Sequence, residues 1–268
     1  MTEPLKLMCV LAHPDDEALG NGAVLARYAA EGVETYLVTA TRGERGWFGA
    51  EQDHPGLAAL GQTREAELRC ACETLGVRDL QFLDYIDGDL DRADPAEAIA
   101  KIVGHLRRVR PQVVITFGPD GAYGHPDHIA ISQFTSAALV AAADPGYAPG
   151  GAAPHRAAKL YYMVMSKEEI GFYESLFGEL VMNIDGVERR TVPWQDWAIT
   201  TLINCEDCAA TVWRAVECHR SQLPGYGRLK ELSAADHRRL WGSRPYYRAF
   251  SLVNGGRQVE SDLFAGLR

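Results

Sequence analysis

The sequence has no long run of basic residues. Across 268 residues, 27 Lys and Arg stand against 36 Asp and Glu, a net charge of −9. Phosphate backbones and anionic lipid surfaces are repelled by that balance, so nucleic acid and membrane are excluded as partners at this stage. No apolar stretch approaches the ~20 residues needed to span a bilayer. The early run Leu7–Ala12 is also too short for a secretory signal core, so a cytoplasmic location is expected. Six cysteines in a chain of this length do not make a disulfide framework. One C-x-x-C pair, Cys205 and Cys208, has no second pair to complete a structural zinc site, and its thiols are read as small packing groups, like Cys70 and Cys72. Internal repeats and low-complexity tracts are missing too.

What the chain does have is a hydrophobic fraction of 47%, enough for one large core. Its first half alternates strand and helix. Apolar runs Leu7–Ala12, Val33–Ala40, Asp79–Leu83 and Val113–Phe117 read as strands. Ala18–Glu31, Thr63–Leu75 and a segment from Pro95 to about Arg108 read as helices, the first two closed by Gly32 and Gly76. Such alternation implies a parallel sheet covered on both faces, a Rossmann-like, doubly wound α/β fold with ligands at the carboxyl ends of the strands. Residues 144–154 turn loop-like. The expectation is a single domain over 1–268, with a Rossmann-like half over 1–143 and a C-terminal extension over 157–268 that closes the site. Within the extension, a strand at Leu160–Met165, helices near Lys167–Phe177, Asp207–His219 and Ala234–Leu240, and a further strand at Leu180–Ile184 are expected.

Two segments carry the chemistry. The first strand ends in His13-Pro14-Asp15-Asp16-Glu17, where three carboxylates and an imidazole would repel and desolvate one another without a cation. On a helix, His13 and Asp16 would lie about 60° apart, with Asp15 directed elsewhere; Glu17, about 40° from His13, stays open as a ligand. An acidic helix start favoured by the macrodipole would explain the carboxylates but not the histidine. The second segment, Tyr123-Gly124-His125-Pro126-Asp127-His128, follows the Val113–Phe117 strand. Two H-P-D motifs after strands of one sheet point to a shared divalent site. Mixed nitrogen and oxygen ligands suit a catalytic zinc better than a structural one.

With these motifs the chain resembles the LmbE/PIG-L family of zinc-dependent N-acetylglucosaminyl de-N-acetylases, including its mycothiol-pathway branch. The resemblance runs through A-H-P-D-D-E, Leu19-Gly20-x-Gly22, Thr41-Arg42-Gly43-Glu44, Arg64-Glu65-x-Glu67-Leu68, G-H-P-D-H and His219-x-Ser221-Gln222. It departs at Ala23, where many members carry glycine. It implies one zinc ion per chain, or ferrous iron, held by His13, Asp16 and His128, with Asp15 as general base. It further implies that His125 protonates or polarises the reacting carbonyl, that Asp127 orients His125, and that Tyr123 assists the oxyanion. Arg64 and Asp87 resemble substrate-contacting or site-supporting positions. Trp47, beside Phe48 in the loop after the second strand, could stack on a sugar.

The expected activity is removal of an N-acetyl group from a glucosamine-type small molecule by metal-activated water. Two alternatives stand beside it: an amidase acting on thiol-conjugate amides, and a non-catalytic metal- or nucleotide-sugar-binding module. Gly20-Asn21-Gly22 lacks the third glycine of a dinucleotide fingerprint, which weakens the last. A homo-oligomer is compatible with the sequence.

Overall fold

The computed structural model describes residues 4–147, 149–179, 181–184, 186–256 and 258–268. Its centre is the Leu7–Ala12 run, every residue of which is fully buried. A strand apolar on both faces belongs in the middle of a covered sheet, and β1 (Lys6–Leu11) lies there, between β2 (Glu34–Thr41) and β4 (Val113–Phe117). With β3 (Val77–Tyr85), β5 (Lys159–Met163), β8 (Thr201–Asn204) and β9 (Ser243–Ser251) they form a seven-stranded sheet of order β3-β2-β1-β4-β5-β9-β8. The first five strands are parallel; β9 and then β8 are added antiparallel. This is a doubly wound α/β fold. Its connections reverse direction between β1 and β4, the switch point at which such sheets open a crevice.

Helices cover both faces. On one, α1 (Gly22–Ala30), α2 (Leu57–Leu75), α7 (Ala209–Cys218) and α8 (Ala234–Trp241) pack in succession. On the other, α3 (Pro95–Val109) packs against α5 (Pro126–Ala143), which follows the single turn α4 (Gly121–Gly124). The remaining helix is α6 (Lys167–Phe177), and β6 (Val181–Ile184) and β7 (Val187–Arg190) form a separate hairpin. Leu180, at the start of the strand expected there, lies outside the described residues, as does Ala148 in the expected loop. Strands from both halves of the chain thus share one sheet. Buried Lys159 of β5 ties the far end of the chain to it, donating to Glu260 at 2.8 Å, and Arg248 of β9 pairs with the same carboxylate at 2.9 Å. Among the described residues, no helix is long and apolar enough to cross a membrane.

One cysteine expectation is overturned. Cys70, read as a packed thiol, is exposed on α2 and bonded to Cys218 at the end of α7, with Cα atoms 5.8 Å apart and 148 residues between them in sequence. Linear spacing carries no signal for a pairing of that range. Closing so long a loop restricts the unfolded chain, so Cys218→Ser is expected to lower stability by about 2–4 kcal/mol in oxidised protein. In dithiothreitol the variant and the parent should unfold alike. Identical urea midpoints under oxidising conditions would contradict the bond.

Candidate active site

At the end of β1 the chain does not enter a helix at once. Residues 13–16 make a turn in which the Asp16 N–H donates to the His13 carbonyl, and Asp16 Oδ2 accepts from the Ala12 and His13 N–H groups at 3.2 and 2.7 Å. A one-turn π-helix, Glu17–Asn21, follows before α1. The turn, not helical periodicity, brings His13 and Asp16 together. Between them Asp15 is forced to φ 107°, a region side chains rarely occupy and one associated with functional strain.

The second motif leaves β4 through another strained turn, with Ala122 at φ 64°. His125 then caps α5, its Nδ1 accepting from the Asp127 N–H at 3.1 Å, with Pro126 at the first helical position, where no N–H is needed. His128, one turn on, is buried and stacked on Phe117 at 3.9 Å. The ring of Tyr123 stands edge-on to His125 and His128, with centroids 5.9 and 5.3 Å away.

The hydrogen-bond partners fix the ring tautomers. His128 Nδ1 donates to the Gly121 carbonyl at 3.2 Å, so its Nε2 is a lone pair when the ring is neutral. His13 Nε2 faces Asp127 Oδ2 at 3.0 Å and Asp87 Oδ1 at 3.2 Å, which places its proton there and a lone pair on Nδ1. The two lone pairs confront each other at 3.1 Å, with Asp16 oxygens 3.8 Å from His13 Nδ1 and 3.5 Å from His128 Nε2. Such a group of donors repels itself unless it holds a cation. Burial opposes charge on His13, yet the carboxylates of Asp87, Asp127 and Asp16 outweigh it and raise its pKa well above normal, so in the absence of an ion a proton is drawn in. Burial likewise pushes Asp16 up to about 7, against the pull of His13.

Other donor groupings exist around the same ring: His13 with His125 and His128, and His13 with Asp87 and Asp127. The second is better explained as an outer shell, because Asp127 is already filled. Its oxygens accept from the Gly88 and Leu90 N–H groups at 2.7 and 3.1 Å. A carboxylate on the far nitrogen of a metal-binding histidine is the usual support for the ligand. The residues around the His13 ring can therefore hold a divalent ion, and Asp16 adjoins both His13 Nδ1 and His128 Nε2.

One expectation changes. The carboxylate of Asp127 contacts His13, not His125; only its backbone N–H reaches His125. Burial, and then the charge of His13, lower the His125 pKa to about 4. A neutral His125 whose Nδ1 is an acceptor keeps its proton on Nε2, making it a hydrogen-bond donor.

Among the described residues, the Asp15 side chain hydrogen-bonds to Arg64 and Tyr226 and not to His13, Asp16 or His128. Its Oδ2 accepts from Arg64 Nη2 at 3.2 Å and from Tyr226 Oη at 2.5 Å, while among the described residues no donor reaches Oδ1. Arg64 is buried and also donates to the Pro14 and Gly43 carbonyls, so it supports the site from beneath. Gly43, at φ 69°, is required there: a Cβ would lie 2.2 Å from the guanidinium. Asp87 sits in the site, its oxygens held by His13 and by the Arg45 N–H at 3.2 Å. Despite burial, His13 and then Arg64 keep its carboxyl well below the usual range. Trp47 is not brought in. Its indole N–H donates to the Ala50 carbonyl and its ring lies 5.7 Å from His54; Phe48, 48% exposed, turns toward Tyr226 instead.

Glu17, open as a ligand on helical geometry, points elsewhere. Its carboxylate accepts from the Asp15 N–H at 2.9 Å and meets His219 Nε2 at 2.6 Å. Sequence reasoning had His219, Ser221 and Gln222 only as motif positions, and it missed Tyr226, which no motif marks.

The family profile described as GlcNAc-PI de-N-acetylase, PIG-L, matches residues 8–139. A 1D-myo-inositol 2-acetamido-2-deoxy-alpha-D-glucopyranoside deacetylase of Streptomyces avermitilis is 36% identical over 98% of this chain and 97% of its own. A deacetylase of the same name from Kineococcus radiotolerans is 34% identical over 100% of this chain and 84% of its own. Among solved structures, a conserved protein of Thermus thermophilus superposes with a TM-score of 0.67 at 28% identity, covering 94% of this chain and 97% of that one. The N,N'-diacetylchitobiose deacetylase of Pyrococcus horikoshii shares the fold, with a TM-score of 0.67 at 18% identity over 91% of this chain and 83% of that one.

Proposed function

For a chain that belongs to the PIG-L family of GlcNAc-PI de-N-acetylases, we propose hydrolysis of the N-acetyl group of a glucosaminyl conjugate at an ion held by His13, Asp16 and His128. The substrate named for its relatives, an N-acetylglucosaminyl inositol, is the first candidate, and zinc is the preferred ion ahead of ferrous iron. One observation carries the reading. Three donor atoms converge at the sheet's switch point, and the free oxygen of Asp15 belongs to the same turn as two of them.

When bound, the ion supplies Lewis acidity for the amide carbonyl and makes water more acidic. Asp15, with Oδ2 occupied, takes the proton of the attacking water on Oδ1 and can return it to the departing amine. His125 donates its Nε2–H to the oxyanion. Burial raises the pKa of Tyr123 well above normal, so it remains a phenol able to do the same. Asp127 and Asp87 hold the His13 ring so that Nδ1 faces the ligand position.

Acetate release from N-acetylglucosaminyl inositol by metal-loaded protein tests the reading. Turnover only of a thiol-conjugate amide would favour the amidase alternative. The pH profile tests His125. With its pKa lowered to about 4, this group is already neutral at pH 6 and has no proton to lose on the alkaline side. His125→Ala is therefore expected to reduce kcat by about 100-fold across the profile and to leave any alkaline limb where it was. Disappearance of that limb in the variant would show a cationic His125.

A further inference from the structure

The orientation of Asp15 is set largely from outside its own motif. At φ 107° its backbone is strained, and local preference does not fix where the carboxylate points. The segment after α7 supplies what the motif lacks. His219 meets Glu17, whose other oxygen accepts the Asp15 N–H. Ser221 binds Glu67 through its N–H and hydroxyl, both at 2.7 Å, and Gln222 donates to the Gly46 carbonyl at 2.8 Å. These bonds anchor the segment on both sides of the Asp15 turn and on the loop after β2. They also deliver Tyr226, whose hydroxyl donates to Asp15 Oδ2 at 2.5 Å.

We propose that Tyr226 is a positioning residue for deacetylation: its hydroxyl holds Oδ2 of Asp15, so that Oδ1 is the oxygen presented to the attacking water. The proposal rests on the reading of Asp15 as general base. The Tyr226 bond is the shorter of the two on that oxygen, and an O–H donor to a carboxylate at this distance is among the stronger hydrogen bonds. Arg64, at 3.2 Å, is shared with two carbonyls. Burial, and then the charge of Asp15, raise the Tyr226 pKa well above the usual range, so the phenol remains a donor at any working pH. The ring also packs beside Phe48, with centroids 6.4 Å apart. A test must therefore remove the hydroxyl and keep the ring.

Tyr226→Phe is expected to retain metal content and melting temperature and to lose about 10–100-fold in kcat at unchanged KM. In an Asp15→Asn background the same change should have no further effect, because the hydroxyl acts only through that carboxylate. Unchanged kcat, a loss confined to KM, or full additivity in the double variant would each overturn the proposal. A second measurement needs no substrate. In protein carrying tyrosine labelled with ¹³C at Cζ, the Tyr226 resonance, identified by its loss in Tyr226→Phe, should move in Asp15→Asn. If it moves while no glucosaminyl conjugate is deacetylated, the Tyr226–Asp15 contact stands and the proposed activity fails. A resonance indifferent to Asp15→Asn overturns the positioning role whatever the activity.

Discussion

Asp15→Asn is expected to keep its metal and to lose turnover by about 10²–10⁴-fold, the usual worth of a positioned acid or base. The Asp15 carboxylate is hydrogen-bonded to Arg64 and Tyr226 through Oδ2 and not to the three proposed ligands. An amide has nearly the same shape and can still accept those two bonds through its carbonyl oxygen. What disappears is the second carboxylate oxygen, the one proposed to take the proton. Kinetics and metal content measured on one preparation separate the possible roles. A metallated and fully active variant would mean that another group takes the proton. A variant empty of metal would make Asp15 a ligand. Glu17 is a poor substitute base, because its two oxygens are committed to the Asp15 N–H and His219.

The second large effect belongs to the ligands. His13→Ala, Asp16→Ala and His128→Ala should each lower metal affinity well beyond the roughly 10–100-fold that loss of an outer-shell carboxylate costs. Each removes one of the three protein donors of the proposed site, where a bound ion relieves the repulsion of two imidazole lone pairs 3.1 Å apart. Asp127→Asn should fall in the smaller class. The amide oxygen can still accept at one of the two carboxylate positions, from Gly88 N–H or from Leu90 N–H, but the NH2 cannot accept at the other, and the group no longer stabilises the His13 proton as a carboxylate does. Equal metal loss in Asp127→Asn and His128→Ala would place Asp127 among the ligands.

How far the sequence could be read depended on how local each signal was. The Val113–Phe117 strand and the Lys167–Phe177 helix appear with the expected bounds, because a short β-branched run after Pro111 and a Ser166/Glu169 capping box are contained within a few residues. Helix α2 begins six residues before Thr63, the expected start. It runs through Gly61, which helix propensity disfavours but which has to be small: a Cβ there would stand 3.0 Å from the Glu44 side chain. Strand β9, S-R-P-Y-Y-R-A-F-S, was not expected. Pro245 and two arginines obscure its pattern, and its pairing with β5 is defined only by tertiary packing.

The same rule holds within the site. His13, Asp15 and Asp16 share one turn, and His125, Asp127 and His128 the next motif, so these residue types stand out in the sequence. The contacts that assign their roles do not. Asp127 reaches His13 across 114 residues and Tyr226 reaches Asp15 across 211. On a helix Asp15 would lie apart from His13 and Asp16, but the segment is a strained turn in which Asp15 is held by Arg64, Glu17 and Tyr226.

Metal content of Asp16→Ala compared with Asp87→Ala, by elemental analysis of proteins purified and reconstituted in parallel, tests the central claim most directly. Both carboxylates lie beside the His13 ring, Asp16 toward Nδ1 and Asp87 toward Nε2. Asp16→Ala should come out nearly empty, while Asp87→Ala retains about one ion per chain at saturating metal. Full occupancy in Asp16→Ala together with loss in Asp87→Ala would put the ion on the other side of His13 and contradict the account.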